Sequence, residues 1–376
     1  MKIGIICYPT YGGSGVVATE LGKALAELKH EVHFITYSQP PRLDFFSENI
    51  FYHEVSVSSY PLFQYLPYES ALASKIVDVA INEKLDLLHV HYAIPHASAA
   101  YLAQQILKSK NYSIPFITTL HGTDITLVGK DPSFEPVVTF SINESNGITA
   151  VSKSLKDDTF SEFEIHKAIQ VIPNFIDLNR FKKQKKEHFK LAICPNNEKL
   201  IIHSSNFRKV KRIQDVVKAF AIIHQEVKSK LLFIGDGPER TGIENLCREL
   251  GVYQDVRFLG KLDAIEEALS LADIFMLPSE KESFGLAALE AMACEVPVIA
   301  SNAGGIPEVI KNDCCGFVSP IGDYEDMAKN ALKLLKDEAL LNKFKSNARK
   351  RAEDFDVKRI VPLYVDFYQS ILNSQK

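Results

Sequence analysis

The chain has 376 residues and a mass of 42.1 kDa, long for one hydrophobic core and suited to two domains. Its 46% hydrophobic and 24% charged content is that of a globular protein, and a formal net charge of -4 gives no basic footprint for nucleic acid. No apolar run approaches the ~18 residues of a spanning helix, and the opening run Met1 to Cys7 is too short and glycine-flanked for a secretory signal. No membrane insertion and a cytoplasmic location are therefore expected. The cysteines, Cys7, Cys194, Cys247, Cys294, Cys314 and Cys315, form no C-x-x-C pair and lie mostly in apolar segments, which predicts neither a disulfide framework nor a zinc site.

From the N-terminus, a β-branched run over Lys2 to Cys7 leads into Tyr8-Pro-Thr-Tyr-Gly12-Gly13-Ser14-Gly15. A helical pattern follows, with Val17, Leu21, Leu25 and Leu28 on one face. Strand, glycine loop and helix predict the start of a doubly wound α/β domain. The glycines let backbone amides of Ser14 and Gly15 approach a ligand, and tight packing of the turn is the competing reading. The G-x-G-x-x-G spacing is missing and no acidic residue caps the second strand, Glu31 to Thr36, which excludes a dinucleotide fingerprint.

A strand is expected near Phe51 to Val55. The segment Tyr60-Pro-Leu-Phe-Gln-Tyr-Leu-Pro-Tyr68 is too apolar for a solvated linker and too broken for a helix. A helix from about Ser70 to Asn82 then precedes a buried strand, Asp86 to Tyr92. His89 and His91 share one face of that strand, and with no third ligand in view they read as hydrogen-bonded histidines rather than metal ligands. Tyr92 falls at the C-terminal edge, where α/β sheets bind ligands. The strand Pro115 to Leu120, with Thr118 and Thr119, runs into His121-Gly-Thr-Asp124. After Ile148 to Val151 comes a Ser152 cap and a helix opened by Lys153, a candidate for an acidic ligand and equally an ordinary exposed lysine. The run Lys182 to Lys186 reads as a solvated connection.

The second half repeats the architecture without repeating the sequence. A strand over Lys199 to Ser205 ends in Asn206-Phe-Arg208-Lys209-Val-Lys211-Arg212; later strands end at Gly235-Asp-Gly237 and at Gly260-Lys261-Leu262. The apolar run Asp273 to Pro278 is followed by Glu282-Ser283-Phe284-Gly285-Leu286-Ala-Ala-Leu-Glu290 and then Gly304-Gly305-Ile-Pro-Glu308. With Gly285 opening a helix, the amides of Phe284, Gly285 and Leu286 are free to hold phosphate oxygens. Glu290, one to two turns inside, suits a ribose diol, and Glu282 faces the far side of the phosphates. Pro362 is expected to begin the final helix.

The two glutamates seven residues apart, followed by the glycine-glycine turn, resemble the retaining nucleotide-sugar glycosyltransferases of family 4, and the resemblance runs along the whole chain. It implies the GT-B fold: two Rossmann-like α/β domains facing a cleft. Residues 1–172 would bind the acceptor, residues 173–359 the nucleotide sugar, and a terminal helix, 360–376, would cross back to the first domain. Under this resemblance His121, Arg208, Lys211 and Glu282 are the catalytic set. Gly15, Asn206, Gly237, Leu262, Ser283, Phe284, Gly285, Leu286 and Glu290 hold the donor, and Gly13, Ser14, Tyr92, Thr119 and Lys153 the acceptor. Arg208 stands one or two positions from the family's arginine, and Phe175 replaces a usual glycine after Asn174.

The Tyr60 to Tyr68 segment is similar to the malate-using branch of the family. This implies UDP-N-acetylglucosamine as donor, L-malate as acceptor, an alpha-linked product and a place at the first step of bacillithiol synthesis. No D-x-D motif is present, and Arg208, Lys211 and the helix at Gly285 offer the positive charge a divalent ion would bring, so neither metal nor other cofactor is expected. The competing readings are a family 4 enzyme with another small or lipid acceptor and a non-catalytic nucleotide-sugar-binding module. Whether the chain forms a homo-oligomer is left open.

Overall fold

The computed structural model describes residues 1–10, 12–43, 47–57, 65–184 and 186–374, with backbone alone at 127 and 187. It divides into two units, Met1–Asn174 with Lys358–Lys376, and Phe175–Val357. Each junction thus lies two residues from the expected one.

The first unit is a seven-stranded sheet of β1 (Lys2–Ile6), β2 (Glu31–Thr36), β3 (Ile50–Glu54), β4 (Leu87–His91), β5 (Phe116–Leu120), β6 (Gly147–Ala150) and β7 (Ile169–Val171), in the order β3-β2-β1-β4-β5-β6-β7. Every pairing is parallel. Parallel strands need crossover helices that cover both faces, so β4 and β5 are buried at every residue, including the polar His89, His91, Thr118 and Thr119. The order reverses between β1 and β4, and the loops after these strands open onto one crevice at the sheet's C-terminal edge.

The second unit is a six-stranded parallel sheet of β8 (Lys199–Ser204), β9 (Ser229–Ile234), β10 (Val256–Phe258), β11 (Ile274–Leu277), β12 (Val298–Ser301) and β13 (Gly316–Ser319), ordered β10-β9-β8-β11-β12-β13. Its reversal lies between β8 and β11. Ile201, Phe207, Phe220, Phe233 and Met276 are among the fully buried residues of its core.

Two expectations need correction, and a third needs an addition. The final helix is Val357–Asn373, so Pro362 lies inside it rather than at its start. Its Tyr364 and Tyr368 are fully buried, and the Tyr368 hydroxyl meets His89 Nδ1 at 2.7 Å, which makes the helix part of the first unit. The helix expected from Ser70 spans Tyr68–Glu83, so Tyr68 belongs to it; residues 60–64 of the aromatic segment lie outside the described residues. The lysine run is exposed at Lys182 and Lys183, as a solvated connection would be, but it is also anchored. Lys183 Nζ donates to the Ser270 carbonyl at 2.6 Å, at a helix C-terminus that attracts a cation, and Lys186 pairs with Glu267 at 2.6 Å. Long aliphatic stems let these side chains reach anchors that residue type alone does not reveal.

Beyond them, Lys190 and Lys345 meet Asp273 at 3.0 and 3.1 Å, and Asp273 also accepts from the Leu200 amide at 2.9 Å. Burial pushes the Asp273 carboxyl up, but the two lysines and the amide outweigh it and hold the group below its usual range. Asp273→Ala should cost about 1–3 kcal/mol at pH 7 in urea unfolding, because it strands a buried amide and two ammonium groups. With the folded pKa depressed, this contribution exists above the unfolded value of about 3.9 and fades as the pH falls through the folded one. The gap between wild type and variant should therefore narrow below about pH 4, and a gap independent of pH would contradict the ionic account.

Candidate active site

The candidate residues of the second unit follow the two strands that flank its reversal. After β8, Phe207 is fully buried and anchors the loop, while Asn206 and Arg208 on either side of it are exposed. A short 3-10 turn, Lys209–Lys211, follows, and Arg212 in a left-handed conformation (φ 48°) closes it by pairing with buried Asp215 at 2.6 Å. After β11, the Glu280 amide donates to the Val210 carbonyl at 2.8 Å, and Lys211 Nζ meets Glu282 Oε2 at 2.7 Å. Ser279 Oγ also donates to that oxygen, at 3.4 Å. The structure thus pairs two members of the expected catalytic set directly with each other.

Glycines hold this arrangement from below. A Cβ on Gly304 (φ 49°) would stand 2.1 Å from the Glu282 carbonyl oxygen, and one on Gly305 would stand 2.4 Å from that of Ser283. The Gly305 amide donates to the Glu282 carbonyl at 3.0 Å. The glycine-glycine turn is therefore a shelf on which the Glu282-Ser283 backbone rests. Gly237 does the same for the other loop, since a Cβ there would lie 2.7 Å from the Asn206 carbonyl oxygen.

Gly285 takes φ 98° and precedes the helix Leu286–Ala293. Helix geometry leaves the amides from Gly285 to Ala288 without intrahelical acceptors, one position later than the sequence predicts. Phe284 is a packing anchor: its side chain is buried and its ring sits edge-on to Phe355 with centroids 5.6 Å apart. Glu290 is only 9% exposed on the second turn, while Leu262 is 38% exposed in the loop after β10.

In the first unit, Gly13 opens the helix Gly13–Glu27, and Ser14 Oγ accepts from the Tyr92 hydroxyl at 2.8 Å. Tyr92 itself has φ 85°, unusual for a residue with a side chain. One of the predicted contacts, that of Thr119, is corrected. A Cβ on Gly15 would stand 2.4 Å from the Thr10 carbonyl oxygen and 2.6 Å from that of Tyr8, so its missing side chain serves the packing of its own loop, the competing reading of these glycines. Thr119 is fully buried and its hydroxyl is engaged by Thr149 Oγ1 and His89 Nε2, both at 2.6 Å; Thr118 is buried against Ser145 in the same way. A central strand turns both its faces into the protein, so neither hydroxyl is available to an acceptor. Lys153 opens its helix behind the Ser152 cap, with a side chain 77% exposed and 3.9 Å from Asp157.

Sequence reading missed the role of Asp124. Its Oδ2 accepts from the Ala93 amide at 3.0 Å and its Oδ1 from the Gly122 and His121 amides at 2.9 and 3.3 Å, so one carboxylate ties the loop after Tyr92 to the loop of His121. Burial raises its pKa to about 6, against the pull of those amides. His121 Nε2 lies 2.8 Å from His91 Nδ1, and burial lowers the pKa of His121 to about 3, leaving a neutral imidazole at pH 7. His89 and His91 are both engaged in hydrogen bonds inside the unit.

Comparison with known proteins decides what these two sets of loops belong to. A Glycosyltransferase Family 4 model matches residues 11–180, and a model of the glycosyl transferases group 1 matches residues 183–351. The chain is also 50% identical to the N-acetyl-alpha-D-glucosaminyl L-malate synthase of Bacillus anthracis, across 100% of this chain and 98% of that one. It belongs to the family 4 glycosyltransferases. Among solved structures, the sucrose-phosphate synthase of Thermosynechococcus elongatus superposes with a TM-score of 0.81 at 20% identity, covering 100% of both chains. Anabaena HepE in complex with UDP and glucose gives 0.80 at 21%, covering 98% of this chain and 100% of that one. These two share the fold of two parallel-sheet Rossmann-like units, the GT-B architecture.

In this glycosyltransferase the glycine shelf gives a direct test. Gly305→Ala must displace the Ser283 carbonyl, a steric cost of about 1–3 kcal/mol. We expect a matching loss of stability in urea and at least a roughly tenfold loss of nucleotide-sugar affinity by calorimetry, equivalent to ~1.4 kcal/mol. A variant that keeps both would show that the turn does not support the Glu282 loop.

Proposed function

We propose that this enzyme transfers N-acetylglucosamine from UDP-N-acetylglucosamine to the hydroxyl of L-malate with retention, giving the alpha-linked product that opens bacillithiol synthesis. The observation that carries the reading is the identity of 50% along the full length to a synthase of that name, in a chain that also has both glutamates on their glycine shelf. In this reading Glu290 accepts hydrogen bonds from the ribose diol, and the amides from Gly285 to Ala288 with Arg208 and Lys211 hold the diphosphate. Glu282 orients both Lys211 and the sugar. Ser14, Tyr92 and the glycine loop receive the acceptor, with Lys153 attracting its carboxylates.

The chemistry asks for positive charge where the leaving group develops negative charge, and these groups supply it without a metal ion. The bond from the anomeric carbon to the β-phosphate oxygen breaks, the malate oxygen bonds to that carbon on the same face, and the malate proton passes to the departing phosphate. Neutral His121 serves as a hydrogen-bonding group and not as an acid.

Incubation of the enzyme and UDP-N-acetylglucosamine with L-malate, other hydroxy acids, inositol phosphate or water, following UDP release, tests the reading. Malate should be the preferred acceptor with and without excess EDTA. If malate is no better than water the acceptor assignment fails, and if chelation stops turnover the metal-free account fails.

Glu290→Ala should weaken UDP binding by about 1.5–3 kcal/mol, the range for a hydrogen bond to a charged group. Calorimetry showing unchanged affinity would remove Glu290 from the nucleotide site.

A further inference from the structure

Four histidines, His89, His91, His96 and His121, are buried in the first unit behind Tyr92. Each neutral imidazole carries one proton on one of two nitrogens, and its partners decide which. His96 is unambiguous. Its Nδ1 lies 2.5 Å from the His91 carbonyl oxygen, which can only accept, so the proton is on Nδ1; its Nε2 is then a bare lone pair, buried with no partner among the described residues. His91 has the same pattern. Its Nδ1 meets His121 Nε2 at 2.8 Å and its Nε2 is buried with no partner among the described residues.

Two protonation patterns satisfy the His91–His121 contact. If His121 Nε2 carried the proton and donated, His91 would hold its own proton on Nε2, a buried N–H with no acceptor. Orphaned buried donors are the rarer and costlier defect. If His91 donates from Nδ1, its Nε2 is an unused lone pair, as His96 already shows. The rings are held in place for this exchange: those of His91 and His121 stack at 5.0 Å, and those of His89 and His91 lie 4.4 Å apart.

We infer that His91 is a positioning residue that donates from Nδ1 to His121 Nε2, so that His121 is fixed as its Nδ1–H tautomer and presents a hydrogen-bond donor from that nitrogen. The catalytic consequence rests on the role proposed for His121; the tautomer does not. Burial of both rings keeps them neutral at pH 7.

The test begins with the wild-type enzyme, labelled with nitrogen-15 at histidine. Two-bond nitrogen-to-carbon correlation spectra should show His121 protonated at Nδ1 and bare at Nε2 at pH 7; a proton on Nε2 overturns the inference. His91→Asn places an amide N–H where Nδ1–H stood, and His91→Leu removes the donor. The Asn variant should keep the His121 tautomer and stay within about threefold of wild-type kcat, while the Leu variant should lose the single tautomer and at least about tenfold in kcat, with KM for the donor nearly unchanged. Equal losses in both folded variants would reduce His91 to a packing role. If the wild-type spectra show the Nδ1–H form but His121→Ala retains full activity, the tautomer assignment stands and the role of His121 in turnover is the part that fails.

Discussion

The contact on which the rest of the second unit depends is the close approach of the turn at Gly304-Gly305 to the backbone of Glu282 and Ser283. Backbone lies on backbone there, at separations where even a methyl group would collide. That shelf fixes where Glu282 leaves the loop, and hence where Lys211 is drawn; the Glu280 amide on the Val210 carbonyl then locks the two loops into one surface. Both glutamates of the motif derive their placement from this support, Glu282 directly and Glu290 through the helix that Gly285 starts at a positive φ. A glycine turn that begins 14 residues after Glu290 is thus a structural part of the two-glutamate motif.

The first unit solves a different problem. Its crevice is lined by groups whose backs are buried in polar company: Asp124 gathers three amides, and the histidines pair with one another, with threonine hydroxyls and with Tyr368. Buried polar groups stay tolerable only when most are matched, and a matched network holds its members in one arrangement. Rigidity at the C-terminal edge of the sheet thus comes from hydrogen bonds beneath the surface, not from the residues that face a ligand.

Much of this was legible from the residues. Alternating apolar strands, glycine loops and amphipathic helices give two doubly wound units, and the spacing of Glu282, Glu290 and the glycine turn marks the second unit's functional loops. What escaped is what depends on side-chain direction. Thr119 is a plausible hydroxyl at a strand end until a central strand turns it inward. Gly15 invites a ligand by type, and only the carbonyls of Tyr8 and Thr10 reveal what it makes room for. Asp124 closes the His121-Gly-Thr-Asp124 loop, but its bond to Ala93 spans 31 residues and has no local trace. The lysine run after Phe181 looks solvated because its anchors, Glu267 and Ser270, lie more than 80 residues on.

The last helix carries a consequence for synthesis. The first unit is assembled from two pieces of chain, and the second piece, Lys358–Lys376, is made after the whole of the second unit. Tyr368 caps His89 and Phe367 packs against Gly147, so strands β4 and β6 lack part of their cover until that piece has been made. Of the two units, the one begun earlier is therefore finished later. Its sheet leaves the ribosome with one flank exposed, and the intervening unit, contiguous in sequence, is free to fold before it.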